Sequence, residues 1–401
     1  MHPSLLERLA REHGTPLYVY DAARVRDNFR RFDAAFAGVP HLVCYALKAN
    51  SNRALCRVLS AEGAGADVVS GGELLRALAA GFAPAKTVFS GVGKTDPELE
   101  LGLRRGLGAF HVESEGELER LAAAARRLGR PARFAVRVNP DVDAGTHAHI
   151  TTGTAENKFG VPEERARALY RRARSSRFLR AVGVQAHIGS QIARPGPYRR
   201  SLAALLRLAD ELAAAGAPLE YVDAGGGMGI AYAPGEGSLD AAELARELVG
   251  PIAARGLRLL LEPGRFLVGD AGELLTRVVE VKRGPRRDFV IVDAAMNDLA
   301  RPALYEAYHE VVPLRPRRGT RRPCDVVGPI CESADFLAKG RRLPPARRGD
   351  LLAVRSAGAY GFSMSSQYNS RPRAAEVLVD GARARLVRRR ETPADLTRHE
   401  R

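Results

Sequence analysis

From about residue 40, short apolar runs alternate with stretches whose apolar residues recur at helical spacing. The runs read HLVCYALKAN, GADVVS, KTVFSG, AFHVES, RFAVRVNP, VGVQAHIGS, YVDAGGG and LRLLLEPG, and each reads as a strand. Between them lie amphipathic helices such as GGELLRALAAG, SEGELERLAAAARRLG and YRRSLAALLRLADELAAAG. Strand and helix alternate through eight such runs, ending near Gly264. That predicts a (β/α)8 barrel better than an open doubly wound sheet, the other fold with this alternation.

After Phe266 the texture changes. ELLTRVVEVKRG, DFVIVDAAM, DLLAVRSAGAYG and RAAEVLVDGARARLVRR are strand-like and separated by Gly and Pro turns, which predicts a second, mainly β domain. The opening stretch MHPSLLERLAREHGTP reads as a short charged helix rather than a signal peptide. The expected division is an N-terminal segment, residues 1–22, associated with the β domain; a barrel over residues 23–266; and a C-terminal β domain over residues 267–401. No run of about eighteen apolar residues occurs, which argues against a membrane span. Cys44, Cys56, Cys324 and Cys331 form no CxxC and have no His at metal spacing, so they read as reduced cytoplasmic thiols and no metal is expected.

Composition sharpens one position. The chain carries 62 Lys plus Arg and a net charge of +16, yet only six of those cations are lysines. The arginines are dispersed on solvated helix faces, and there is no nucleic-acid reading element, so the charge reads as compositional drift. The densest run, RPRRGTRRP (Arg315–Pro323), reads as a loop. Against that background, Lys48 at the end of the first barrel strand stands out. Lysine forms a Schiff base with an aldehyde; arginine, with its far higher pKa, does not usefully do so.

In such barrels chemistry sits at the C-terminal ends of the strands. Lys48, His187, Ser190, the triple glycine Gly225–Gly227, Glu262 and Arg265 all fall there. Each alone has a plain structural reading: a solvated terminus, a structural histidine, a glycine turn, an ion pair. Together, a Schiff-base lysine, a ring-stacking histidine, a glycine phosphate cradle and a carboxylate make a pyridoxal 5'-phosphate site.

The chain resembles the diaminopimelate decarboxylases, of the alanine-racemase-like group of pyridoxal phosphate enzymes (fold type III). The resemblance runs from GTPLYVYD to LVRRRET and is carried by YALKANSN, GADVVSGGEL, VFSGVGKT, NPDVDAGTH, ENKFGV, HIGSQI, GGGMGI, EPGR, DAAMNDLARPALYEAYHE, GPICESADFLAK and GAYGFSMSSQYNSRPR. It implies that Lys48 holds the cofactor, that His187 stacks on its ring and that Glu262 partners the pyridine nitrogen. Ser190, Gly226, Gly227, Gly264, Arg265 and Tyr360 would cradle the phosphate. Arg265 and Arg301 would clamp the distal carboxylate of the substrate, Glu332 its distal ammonium, and Tyr305 and Tyr360 would complete the pocket. Cys331 would oversee reprotonation, reaching in from the neighbouring subunit of a homodimer with shared active sites. The implied reaction is decarboxylation of meso-2,6-diaminopimelate to L-lysine, the last step of lysine synthesis. The same chemistry on ornithine, arginine or carboxynorspermidine is the alternative. The sequence departs from the resemblance in two places. The strand or two expected before LLERLAREHGTP is not seen, and Phe266 stands where a small hydroxyl residue is expected. A phenyl group there is expected to alter phosphate contacts or the pocket.

Overall fold

The computed structural model describes residues 1–143 and 157–400. The end of NPDVDAGTH and the start of ENKFGV lie outside them. The chain forms two compact units. One comprises Met1–Val25, Ala231–Glu236 and Leu267–Arg401, the other Arg26–Ile230 and Gly237–Phe266.

The first strand, β1 (Leu17–Asp21), belongs to the first unit. The next eight belong to the second: β2 (His41–Ala46), β3 (Gly65–Val68), β4 (Thr87–Phe89), β5 (Ala109–Val112), β6 (Ala132–Arg137), β7 (Leu179–Gln185), β8 (Tyr221–Asp223) and β9 (Arg258–Leu261). They are parallel and closed into a barrel, β9 returning to β2 through the pairs His41↔Leu259, Leu42↔Leu260 and Val43↔Leu261. The strands read as apolar runs because helices cover them outside and side chains fill them inside. Leu42, Cys44, Val88, Ala109, Ala135, Val182, Tyr221 and Leu260 form one buried cluster drawn from seven of the eight strands. Truncating a leucine at such a position costs about 2–5 kcal/mol.

The strand ends are held by capped helices. Ser70 accepts from the backbone N–H of Glu73, whose carboxylate accepts from Val69 N at 2.9 Å, opening the helix Gly71–Ala80. Ser114 and Glu117 repeat the device at Glu115–Leu128. Thr95 and Glu98 form a capping box at Asp96–Arg105. The three helices end at Gly81, Gly129 and Gly106, each left-handed. Such caps satisfy amides the helix cannot, each worth about 1 kcal/mol. Lys94 of VFSGVGKT is buried and donates to Gly91 O, His111 O and Glu117 Oε1, each at 2.7 Å. That lysine ties two strand-to-helix turns together.

In the other unit the remaining strands are β10 (Gly272–Lys282), β11 (Asp288–Val292), β12 (Val311–Pro313), β13 (Arg322–Val327), β14 (Phe336–Leu343), β15 (Leu351–Val354), β16 (Ala375–Asp380) and β17 (Arg383–Arg388). The sheet order is β14-β13-β11-β10-β1-β16-β17, with β15 pairing β10 and β12. The helix Pro3–His13 places Leu6, Leu9 and Ala10 in a core with Leu17, Val19, Leu275 and Val377. The run Arg315–Pro323, expected as a loop throughout, gives its last two residues to β13, because Arg322 and Pro323 pair with Leu343 and Arg342. Among the described residues no helix is long and apolar enough to cross a membrane.

Candidate active site

Each barrel strand ends in a polar side chain that its apolar neighbours hold in place. Lys48 lies in the turn after β2, Asp67 in β3 and Ser90 just after β4. His111 lies in β5; Arg137, Gln185 and Asp223 end β6, β7 and β8; Glu262 follows β9. Lys48, His187, Ser190, Gly226, Gly227, Glu262, Gly264 and Arg265 therefore share one rim, as the barrel topology requires. Ser90, Asp67, His111, Gln185 and Asp223 were not singled out from the sequence. The available signal was one polar residue near the end of each apolar run.

Lys48 Nζ lies 3.8 Å from Asp67 Oδ2; the lysine side chain is 35% exposed and the carboxylate fully buried. Burial, then the charge of Glu262, pushes Asp67 up to about 7, against the pull of Lys48. Asp223 is likewise raised, by burial and by Glu262, although Gly225 N donates to its Oδ1 at 2.8 Å.

Glu262 behaves differently. It is 3% exposed, and burial alone raises a carboxyl. The hydrogen bond from His111, with the charge of Lys48, outweighs burial and holds it below the usual carboxylate range. Gln185 Nε2 donates to its Oε2 at 3.1 Å, and Ser90 Oγ to its Oε1 at 3.4 Å. One of the three rim carboxyls is thus kept ionised while the other two are pushed toward protonation.

His187 accepts from Gly226 N on Nδ1 at 3.1 Å, so its hydrogen sits on Nε2. Burial, then Lys48 and Arg137, pushes it well below the usual histidine range, and the ring is neutral. Arg137 is itself anchored by Glu113 at 3.1 Å. The glycine turn serves close packing first. A Cβ at Gly226 would run into the Glu262 carbonyl oxygen, and one at Gly227, where φ is +96°, into that of Gly189. The amides of Gly225 and Gly226 are already given to Asp223 and His187. Ser190 Oγ accepts from Arg265 Nη2 at 3.0 Å. Phe266 differs from expectation in its placement. Its ring is buried and packs on Phe32 at 5.3 Å with the Arg31 guanidinium 5.2 Å away. The phenyl group is absorbed by packing against the helix Ala22–Ala35.

The β unit carries Arg301, Tyr305, Cys331, Glu332 and Tyr360. Arg301 is buried and held by two residues not noticed in the sequence. Its Nη1 lies 2.8 Å from His309 Nε2, and its guanidinium lies 4.3 Å from the Tyr232 ring centre. His309 Nδ1 is 2.8 Å from the Arg355 carbonyl, which can only accept. Nδ1 therefore carries the hydrogen and Nε2 receives from Arg301. Tyr305 ends the short helix Arg301–Tyr305, and Tyr360 sits at φ +55°, a strained value for a non-glycine residue. Cys331 and Glu332 are exposed. Asn369 accepts from Cys331 N at 2.9 Å, and Tyr368 donates to Glu332 at 2.7 Å. Asp335 fixes the same turn, accepting from Met296 N and Ile330 N, both at 2.7 Å.

A closed parallel barrel with a lysine, a neutral histidine and an ionised glutamate on its C-terminal rim, joined to a mainly β unit, defines a class of pyridoxal phosphate enzymes. Residues 22–269 match the family model "Pyridoxal-dependent decarboxylase, pyridoxal binding domain", and the chain belongs to that family. Its similarity continues over nearly its whole length. Diaminopimelate decarboxylase of Pseudomonas aeruginosa is 52% identical over 391 residues, spanning 98% of this chain and 94% of that protein. The enzyme of the same name from Neisseria meningitidis serogroup A is 50% identical over 385 residues, 96% of this chain and 94% of that protein. The crystal structure of Helicobacter pylori diaminopimelate decarboxylase complexed with L-lysine superposes with a TM-score of 0.95 at 42% identity, covering 98% of this chain and 99% of that one. Within the family these relatives mark out one branch, the diaminopimelate decarboxylases.

Proposed function

We infer that this chain decarboxylates meso-2,6-diaminopimelate to L-lysine and carbon dioxide, using pyridoxal 5'-phosphate, at the last step of lysine synthesis. The observation that carries this is Glu262, buried and held ionised on the same rim as Lys48 and the neutral His187. The donor set fits the cofactor: an amine for its aldehyde, an uncharged ring to stack on its own, and an anion for its ring nitrogen. Bound there, pyridoxal phosphate supplies an electron sink for the bonding pair left by the departing carboxylate.

The chain's own residues do the rest. Lys48 holds the aldehyde carbon. Glu262 keeps the ring nitrogen protonated, which a neutral or cationic partner would not do. Ser190, Gly227, Gly264, Arg265 and Tyr360 form the phosphate cradle, and Gly226, whose amide is given to His187, lets the turn pack closely behind it. Arg265 and Arg301 take the distal carboxylate, where a planar guanidinium gives two parallel bonds, and Glu332 takes the distal ammonium. Tyr305 and Tyr360 close the pocket. A substrate lacking the distal groups leaves these charges unpaired, and that penalty gives selectivity. Each turnover consumes one proton at the carbon that loses carbon dioxide, and Cys331 oversees its delivery.

On this reading residues 23–266 are the cofactor-binding domain and residues 267–401 the C-terminal β domain, with residues 1–22 joined to the latter. The working enzyme is a cytoplasmic homodimer, each subunit lending Cys331 and Glu332 to its partner's site. The exposure of that turn supports this: of the four free cysteines, Cys331 is exposed and the other three are buried. The test is product chemistry. The purified chain with pyridoxal phosphate and meso-diaminopimelate should yield L-lysine and carbon dioxide in equal amounts, and Lys48→Ala should yield neither. Lysine of mixed chirality, or full activity in Lys48→Ala, would overturn the assignment.

A further inference from the structure

Glu262 is the end of a directed line of donors that crosses the barrel. Tyr221 OH lies 3.1 Å from His111 Nε2. Burial, then the charge of Asp223, holds that phenol well above its usual pKa, so it keeps its hydrogen and donates to Nε2. His111 Nδ1 then carries the ring hydrogen. It faces Ser90 Oγ at 3.0 Å and Glu262 Oε1 at 3.4 Å. Ser90 passes its own hydrogen on to Glu262 Oε1. His111 is wholly buried, and no solvent replaces a lost donor there.

A metal site is the competing reading, because His111, Asp223 and Glu262 each offer a ligand atom within 4.8 Å of the others. The geometry disfavours it. Glu262 approaches Nδ1 at 3.4 Å and Asp223 approaches Nε2 at 3.8 Å, so the two carboxyls meet opposite nitrogens of the ring, which cannot both point at one ion. Ser90, Tyr221 and Gln185 already supply donors around them.

We propose that His111 is the positioning residue for Glu262: it relays hydrogen-bond donation from Tyr221 through Ser90 and fixes the carboxylate, charged and correctly oriented, for the cofactor's ring nitrogen. This rests on Glu262 being the partner of that nitrogen. The other groups that bear on the pair are Cys44 of β2, Lys48 after it, Asp67 of β3, His187 after β7 and Asp223 of β8.

The test compares His111→Phe, which keeps a ring and loses both nitrogens, with His111→Asn, which keeps a donor. Binding of pyridoxal phosphate is measured by fluorescence titration of the cofactor-free full chain, and the absorbance of the bound cofactor is followed against pH. The phenylalanine variant should bind on the order of tenfold more weakly, the size of one hydrogen bond to a charged group. Its absorbance should titrate at a shifted pH, and the asparagine variant should recover most of both. If the phenylalanine variant does not fold, His111→Ala takes its place. Wild-type binding and an unshifted profile in the donor-free variant would overturn the inference alone. A wild-type chain that binds no pyridoxal phosphate would overturn the reading of the site and this inference with it.

Discussion

Asp67 and Glu262 are both buried carboxyls on one rim, and their surroundings separate them. Glu262 has donors on both oxygens, whereas the lysine beside Asp67 comes no nearer than 3.8 Å and burial dominates there. Asp67 is therefore one of the buried carboxyls whose titration opposes folding. Its pKa is about 7 folded against 3.8 as the ordinary value. Between those pH values the folded state holds a proton that the unfolded state has released, so stability falls as pH rises. Asp67→Asn removes this. Relative to wild type, the cofactor-free variant should gain stability between pH 4 and pH 7, by up to about 4 kcal/mol. Urea melts at several pH values read this directly, and a difference that stays flat with pH would refute it. Arg301 makes a separate prediction. Its guanidinium is fixed by His309 and Tyr232, so Arg301→Lys loses a preset fork rather than a charge. The KM for diaminopimelate should rise about 10- to 100-fold while the affinity for pyridoxal phosphate holds; a cofactor affinity that falls in parallel would contradict the assigned role.

At the level of elements, the barrel was legible because its strands are buried on both faces and read as unbroken apolar runs. Its helix starts carried a further signal that the apolar pattern alone did not use, as in VVSGGEL and VESEGEL, whose serine and glutamate form the caps. The β unit was read less completely. β12 is three residues long, and β13 and β14 carry arginines on exposed positions, so neither the 2-residue alternation nor an apolar run marks them. The relay behind Glu262 was hidden for another reason. Tyr221, His111 and Ser90 come from three strands far apart in sequence, and only barrel closure brings them together. The glycines separate in the same terms. Gly226→Ala forces a Cβ onto the Glu262 backbone and should cost at least about 2 kcal/mol and weaken cofactor binding. Gly116, inside the helix Glu115–Leu128 with nothing near its missing Cβ, should gain about 0.5–1 kcal/mol on change to alanine. Thermal unfolding of the two variants should move in opposite directions, and equal shifts would be inconsistent with this picture.

For the whole molecule, part of the arginine content is neutralised locally, while the net charge of +16 is the excess that such pairs leave over. Arg30 meets Glu62, Arg167 meets Glu211, and Arg255 meets Asp210. Exposed pairs of this kind are worth little each and are screened by salt. The assembly matters more to the chemistry. In a homodimer with shared sites, Lys48→Ala and Cys331→Ala chains are each inactive alone. Mixed at random they place one intact site in each hybrid dimer, so activity should return to about a quarter of wild type. A mixture that stays inactive, with hybrid dimers shown by mass, would contradict a shared site.

The central claim concerns the reaction, and carbon dioxide release tests it most directly. Purified chain with added pyridoxal phosphate is offered meso-, LL- and DD-diaminopimelate, ornithine, arginine, lysine and carboxynorspermidine in turn. Release from the meso isomer, with the others at background, is the predicted result. Preferential turnover of ornithine, arginine or carboxynorspermidine would contradict the roles given to Arg301 and Glu332, and release from none of them would contradict the enzyme assignment itself.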